Sequence, residues 1–147
     1  MITKKGGKVF KKSSIVRASG LVFVSGALVL ATANPSSAAT TRTATCSTTG
    51  ASGYSKTAWT GDPYGEQSVT LSVKDTSADG HHVRVRYLTQ QQSGTTRHWP
   101  WRSNTEGKGT TSTWSTTAYS TYGIWGFGVE IARFEGSTLL NSCVDWG

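Results

Sequence analysis

Apolar and polar residues alternate along much of this chain with a period of two, and no segment repeats apolar residues at helical spacing over three turns. In 68–74, Val69, Leu71 and Val73 fall on one face and Ser68, Thr70, Ser72 and Lys74 on the other, which predicts a half-buried strand. Val83, Val85 and Tyr87 alternate in the same way with Arg84 and Arg86. Between the two runs, Asp75-Thr76-Ser77-Ala78-Asp79-Gly80 supplies turn formers, so the strands are expected to pair as an antiparallel hairpin. The longest run sets Trp125, Phe127, Val129 and Ile131 against Gly126, Gly128, Glu130 and Ala132 and predicts a central strand. Its glycines leave bare backbone that lets a large side chain from a neighbouring layer approach closely.

Three further strands are predicted: one around Tyr54 to Trp59, one at 110–117 around Trp114, and a last one at 137–144. Thr41 to Trp59 is otherwise the least legible stretch. In Arg97-His98-Trp99-Pro100-Trp101-Arg102, Pro100 cannot donate to a ladder, which points to an edge strand or an irregular loop. The resulting expectation is all-β: a small antiparallel β-sandwich or barrel-like domain of about six to eight short strands closed by one disulfide. Aliphatic residues are few, so tryptophans are expected to supply much of the buried apolar area.

The N-terminus changes the reading of charge. Lys4, Lys5, Lys8, Lys11, Lys12 and Arg17 precede an apolar run from Gly20 to Leu30, and Ala38-Ala39 follows a polar stretch. This order predicts a removable secretory signal over residues 1–39 and a single β domain over 40–147, secreted and extracellular. The apolar run is about half the ~20 residues of a spanning helix, so no stable membrane anchor is expected. Six of the fifteen Lys and Arg lie in the signal, leaving nine against eight acidic residues. Near-neutrality of the remainder removes the main support for a nucleic-acid partner. In an oxidising compartment Cys46 and Cys143 are expected to form a disulfide. Neither cysteine has a second ligand at zinc-site spacing, and no cofactor is indicated.

Candidate chemistry centres on Trp99 and Trp101. On an extended strand the two indoles would share a face about 7 Å apart, by the strand rise, and could stack on successive sugar rings. His98 and Arg102 would hydrogen-bond sugar hydroxyls, and Trp114 and Tyr122 would extend the platform, with Tyr119 and Trp125 as further members. Asp75, Asp79, His81 and His82 crowd one turn but match no calcium-loop pattern. Arg84 and Arg86 share a face, with Lys74 expected near them, and could meet an acidic polymer. No GxSxG elbow occurs, and Glu130 is the carboxylate in the most suggestive setting for a glycosidase pair.

The leader, the Thr/Gly/Trp-rich remainder and the single long-range cysteine pair resemble the small secreted β-rich proteins of streptomycete-type actinomycetes. Cys143-Val144-Asp145-Trp146-Gly147 is similar to the tail of their spore-associated secreted proteins, and Trp101-Arg102 resembles the start of the Trp-Arg-Tyr segment of their α-amylase inhibitors. The resemblance implies a source and a compartment. Three functions follow as expectations: a non-catalytic binding domain for cell-wall or environmental polysaccharide, a proteinaceous inhibitor or toxin-like effector of an extracellular protein, and, more distantly, a small secreted hydrolase.

Overall fold

Short runs of alternating side chains produce nine strands in the computed structural model, which describes residues 38–147. The predicted signal, apart from Ala38 and Ala39, lies outside the described residues. The strands are β1 (Thr40–Thr48), β2 (Ala51–Trp59), β3 (Gln67–Asp75), β4 (His82–Gln90), β5 (Thr96–His98), β6 (Arg102–Asn104), β7 (Thr111–Ala118), β8 (Gly126–Glu135) and β9 (Thr138–Trp146). One sheet has the order β1-β2-β3-β7 and the other β5-β4-β8-β9, with β6 also pairing β4. Every pairing is antiparallel. Because β5 and β6 occupy one edge of β4, the sandwich has eight strand positions.

The expected hairpin of β3 with β4 does not form. The two strands belong to different sheets, and residues 76–81 cross from one to the other. Asp75 Oδ1 accepts the Ser77 N–H at 3.0 Å, and the Thr76 N–H reaches the Gly50 carbonyl at 3.0 Å, which ties the crossing to the β1–β2 turn. The physical reason is burial. Opposite sheets let the Val69, Leu71, Val73 row face the Val83, Val85, Tyr87 row across the core, whereas a hairpin would set them side by side. Lys74 consequently stands on the outer face of the first sheet, away from Arg84 and Arg86 on the outer face of the second.

Few aliphatics fill this core, and the inward hydroxyls are satisfied across it. Thr57 Oγ1 and the Tyr87 hydroxyl lie 2.8 Å apart, and Ser55 Oγ donates to the Gly128 carbonyl at 3.3 Å. Burial raises the Tyr87 phenol well above its usual range. Trp59 meets Phe127 edge-on at 5.0 Å between ring centres. Gly128 is covered on the outer side by Trp146, whose ring lies 2.8 Å from where a Cβ would stand. The bare backbone expected on β8 is thus covered by an indole from the next strand of the same sheet and not, as expected, from a neighbouring layer.

Cys46 and Cys143 are bonded, with Cα atoms 6.0 Å apart and a sequence separation of 97. They join β1 to β9, the edge strands on one side of the two sheets. On the same seam the Thr45 N–H donates to Asp145 Oδ2 at 2.8 Å. A covalent bond of this kind is found in oxidising compartments.

Two stability predictions follow from this packing. Reduction, or Cys46→Ser with Cys143→Ser, should lower unfolding free energy by roughly 2–5 kcal/mol, read as the shift in urea midpoint between oxidised and reduced protein. Gly53→Ala should cost about 1–3 kcal/mol or more by overpacking. A Cβ there would run into the Ser72 carbonyl oxygen and stand 2.7 Å from Ile131 Cδ1. A thermal midpoint equal to that of the parent would show that β2 can shift to make room.

Candidate functional site

The bulged edge of β4 decides the fate of the tryptophan pair. His98 on β5 lies opposite Leu88, while Arg102 on β6 lies opposite Val85. Three residues, Trp99, Pro100 and Trp101, therefore span the two positions Arg86 and Tyr87, and the extra residue flips the alternation. Trp99 turns inward: its ring is 6.2 Å from that of Tyr87, and its Nε1 donates to Thr89 Oγ1 at 3.1 Å. Trp101 turns outward, meeting Phe134 edge-on at 5.4 Å, with the Arg86 guanidinium 4.4 Å from its ring centre. The expected shared face is absent, because Pro100 sits at the bulge and shifts the register by one.

The remaining predicted residues are also dispersed. His98 is half-exposed on the outer face, its Nδ1 3.8 Å from Glu130 Oε2, and Arg102 is exposed on the β6 edge. Trp114 packs half-buried against the core from β7. Tyr122 stands apart from all of these, in the β7–β8 loop. Nor does the crowded turn form a ligand cluster: Asp75 is buried, Asp79 pairs with Arg133, and no group of three potential metal ligands occurs among the described residues.

Glu130 is held in the layer that covers the outer face of the second sheet. It is 7% exposed, its Oε2 accepts from Arg86 Nε at 2.6 Å, and Arg86 Nη2 lies at the same distance in the ion pair. Trp101 lies against Arg86, while Arg84 lies 4.2 Å from the centre of the Phe134 ring. His82 stacks on that ring at 6.0 Å, and burial followed by the Arg84 and His81 charges holds its imidazole below the usual range. The carboxylate that stood out in the sequence is therefore engaged in a shielded ion pair.

Exposed aromatics gather instead at one end of the sandwich. The β2–β3, β4–β5 and β7–β8 loops meet there, and Tyr64, Tyr119, Tyr122 and Trp125 are 52%, 50%, 70% and 49% exposed. Backbone bonds tie the β7–β8 loop to its neighbours: the Ile124 N–H reaches the Pro63 carbonyl of the β2–β3 loop at 2.8 Å and the Trp125 N–H the Gln90 carbonyl at the end of β4 at 2.7 Å. Ile124 is fully buried and anchors the β7–β8 loop. Buried Gln67 organises the β2–β3 loop, its Nε2 donating to the Asp62 and Gly65 carbonyls at 2.8 and 3.0 Å and its Oε1 accepting from the Thr60 N–H.

Gly123 sits where these elements meet, with a φ of 76°. A Cβ on it would stand 2.8 Å from Trp125 Nε1 and 3.2 Å from Tyr64 Cε1, so both rings close on bare backbone. Beside them Tyr64, Gln91, Gln92, Ser93, Thr121 and Tyr122 line an open cleft of about 330 Å³. That is the lower end of the usual volume of a small-ligand site. Its lining offers aromatic faces, amides and hydroxyls, which stack and hydrogen-bond but supply no carboxylate, imidazole or thiol.

Tyr64 lies outside the aromatic group that the sequence suggests. Its signal was present: Pro63-Tyr64-Gly65, like Thr121-Tyr122-Gly123, places an aromatic beside glycine in a stretch without alternation, where no strand face can bury it. Trp125, expected at the head of the central strand, precedes Gly126 and faces outward from the loop.

The Arg86–Glu130 pair yields a prediction that separates structure from chemistry. Arg86→Met should destabilise by about 3–5 kcal/mol, because it leaves Glu130 shielded and unpaired, whereas Arg86→Met with Glu130→Leu should recover most of the loss. Denaturant titration of both variants measures it. If the single variant is as stable as the parent, Glu130 is more hydrated than its burial indicates. Comparison of the chain with protein-family models, with curated proteins and with solved structures finds no match.

Proposed function

We propose that the chain is an exported, non-catalytic binding protein whose β domain recognises a cell-wall or environmental polysaccharide through the aromatic end of the sandwich. The observation that carries this reading is the cleft lined by Tyr64, Tyr122, Gln91 and Gln92 with Trp125 beside it across Gly123, all three aromatics about half-exposed or more. Aromatic faces favour the apolar C–H faces of sugar rings, and neighbouring amides and hydroxyls satisfy the ring hydroxyls. Backbone bonds from the β7–β8 loop to Pro63 in the β2–β3 loop and to Gln90 at the end of β4 hold these groups before any ligand arrives, which lowers the ordering cost of binding. Export rests on the basic, then apolar, then small-residue order of residues 1–39, and the disulfide suits the oxidising destination.

The inhibitor or effector reading called for a protruding rigid loop at 98–104. Residues on both sides of Pro100 are instead paired with β4, so that segment lies flat in the sheet. The hydrolase reading called for an available carboxylate pair, and Glu130 is occupied by Arg86.

A pull-down on insoluble chitin, cellulose and bacterial wall tests the proposal. The parent should be retained on at least one matrix, and Tyr122→Ala with Trp125→Ala should weaken retention tenfold or more, equivalent to about 1.4 kcal/mol. Trp101→Ala should bind as the parent does. Retention unaffected by the double variant would remove the aromatic end from the reading, and no retention on any matrix would leave a protein target as the better account.

A further inference from the structure

The two sheets have four edges, and three of them are protected. β1 and β9 close against one another through the Cys46–Cys143 bond and the Thr45–Asp145 hydrogen bond. The edge formed by β5 and β6 is broken at Pro100 and carries exposed Arg97 and Arg102. β7 has none of these devices. Its eight residues, Thr-Ser-Thr-Trp-Ser-Thr-Thr-Ala, include no charge, proline or glycine, and among the described residues its ladder partner is β3, on one side only. Natural proteins blunt such edges, because a row of unpaired N–H and C=O groups templates another strand.

The phase of the β3 ladder tells which groups are unpaired. The Asp75 N–H bonds to the Thr110 carbonyl at 3.1 Å, so Ser112, Trp114, Thr116 and Ala118 turn their backbone groups toward β3 by alternation. Thr111, Thr113, Ser115 and Thr117 direct theirs to the open edge, and all four are exposed.

We propose that two copies of this chain pair antiparallel through β7, about a two-fold axis at Trp114. In this register Thr113 faces Ser115 of the second copy and Thr111 faces its Thr117. Every edge-facing N–H and C=O from Thr111 to Thr117 is then used. A slip of two residues carries one end pair beyond the strand, and a slip of one sets edge-facing groups against groups already bonded to β3. The two Trp114 side chains become a directly opposed, non-hydrogen-bonded pair, the closer kind, with Cα atoms about 4.5 Å apart. Each indole is half-buried in one copy and gains cover from the other.

Joining the edges makes one eight-stranded sheet of the two copies. With one strand edge and one tryptophan pair, the contact falls at the small end of protein interfaces, below about 1,200 Å². The dimer is therefore reversible and concentration-dependent. The pairing does not rest on carbohydrate binding. One consequence touches it: antiparallel pairing points the two aromatic clefts in opposite directions, which suits bridging of separate polymer chains rather than joint binding to one short segment.

Sedimentation velocity on the oxidised domain, which holds all nine strands and the disulfide, tests the proposal. From low micromolar to near-millimolar concentration the weight-average mass should rise from one copy toward two. Ser115→Pro removes one edge-facing N–H and leaves the β3 ladder intact; it should stay monomeric with a thermal midpoint within a few degrees of the parent. Thr113→Lys with Ser115→Lys sets like charges opposite one another only in the dimer, and should stay monomeric even if the proline variant fails to fold. A parent that remains monomeric throughout overturns the proposal, as does association of the lysine variant equal to that of the parent.

Discussion

The first and last strands of the domain belong to different sheets, and the bond between Cys46 and Cys143 holds them together. Two stacked sheets with so few aliphatic residues between them need a constraint of this kind, since hydrophobic burial alone scales with apolar area. The bond closes one long side of the sandwich and leaves β7 and the broken β5–β6 edge to form the other. Asp145, next but one to Cys143, then lies where its carboxylate meets the Thr45 N–H, and Gly147 reaches the Thr43 carbonyl closely enough that a Cβ would not fit. The seam is thus covalent, hydrogen-bonded and tightly packed at once, and the placement of every loop follows from which strands it fixes.

The abundance of threonine and serine has a single geometric basis. On the four-stranded sheet, outward positions are largely hydroxyl-bearing, with Thr41, Thr43 and Thr45 on β1, Ser68, Thr70 and Ser72 on β3, and Thr111, Thr113 and Ser115 on β7. Such residues suit a half-exposed pleated surface, and the β-branched threonines favour it intrinsically. Inward hydroxyls such as Ser55 and Thr57 are accepted because the opposite sheet presents a carbonyl and a phenol at hydrogen-bonding distance. The core takes its bulk from Tyr87, Phe127 and the valine, leucine and isoleucine rows. Among the described residues no tryptophan is fully buried, and Trp59, Trp99 and Trp114 pack against the core from its margin, so tryptophans supply less of the buried area than expected.

Strand identity was legible wherever aliphatics alternated, as at Val69–Val73, Val83–Tyr87 and Phe127–Ile131, because period two needs only one apolar face. Strand partnership was less so. Turn formers between β3 and β4 mark a change of direction but do not say whether the chain returns in the same sheet or the facing one. β1 escaped notice because its buried positions are Ala44 and Cys46, too small to give a hydrophobic signature. The tryptophan pair misled for a more specific reason. Residues two apart share a face only on an unbroken strand, and Pro100 adds the one residue that separates them. Of the aromatics gathered at the loop end, Tyr119, Tyr122 and Trp125 are visible in the sequence as candidates, whereas the place of Tyr64 depends on a contact between loops that sequence spacing does not encode.

Once the faces are assigned, the aromatic end is the part of the surface with chemistry left to use. On the five-stranded sheet the outer face over β4 and β8 is committed to its own structure, since Trp101 and Phe134 engage Arg86 and Arg84 and Arg86 neutralises Glu130, while on β9 Val144 and the Trp146 ring that lies over the β8 glycines remain exposed. The outer face of the other sheet offers hydroxyls and two lysines but no flat apolar surface beyond Tyr54, which is itself approached by Lys56 Nζ at 5.1 Å. At the loop end, by contrast, Tyr64, Tyr122 and Trp125 are fixed in place by buried Gln67, Ile124 and Gly123 while their rings remain open to solvent. Rigid backing with exposed faces is what separates a recognition surface from both a core and a floppy loop, and within this fold it occurs where strand order has ceased and loop hydrogen bonding takes over.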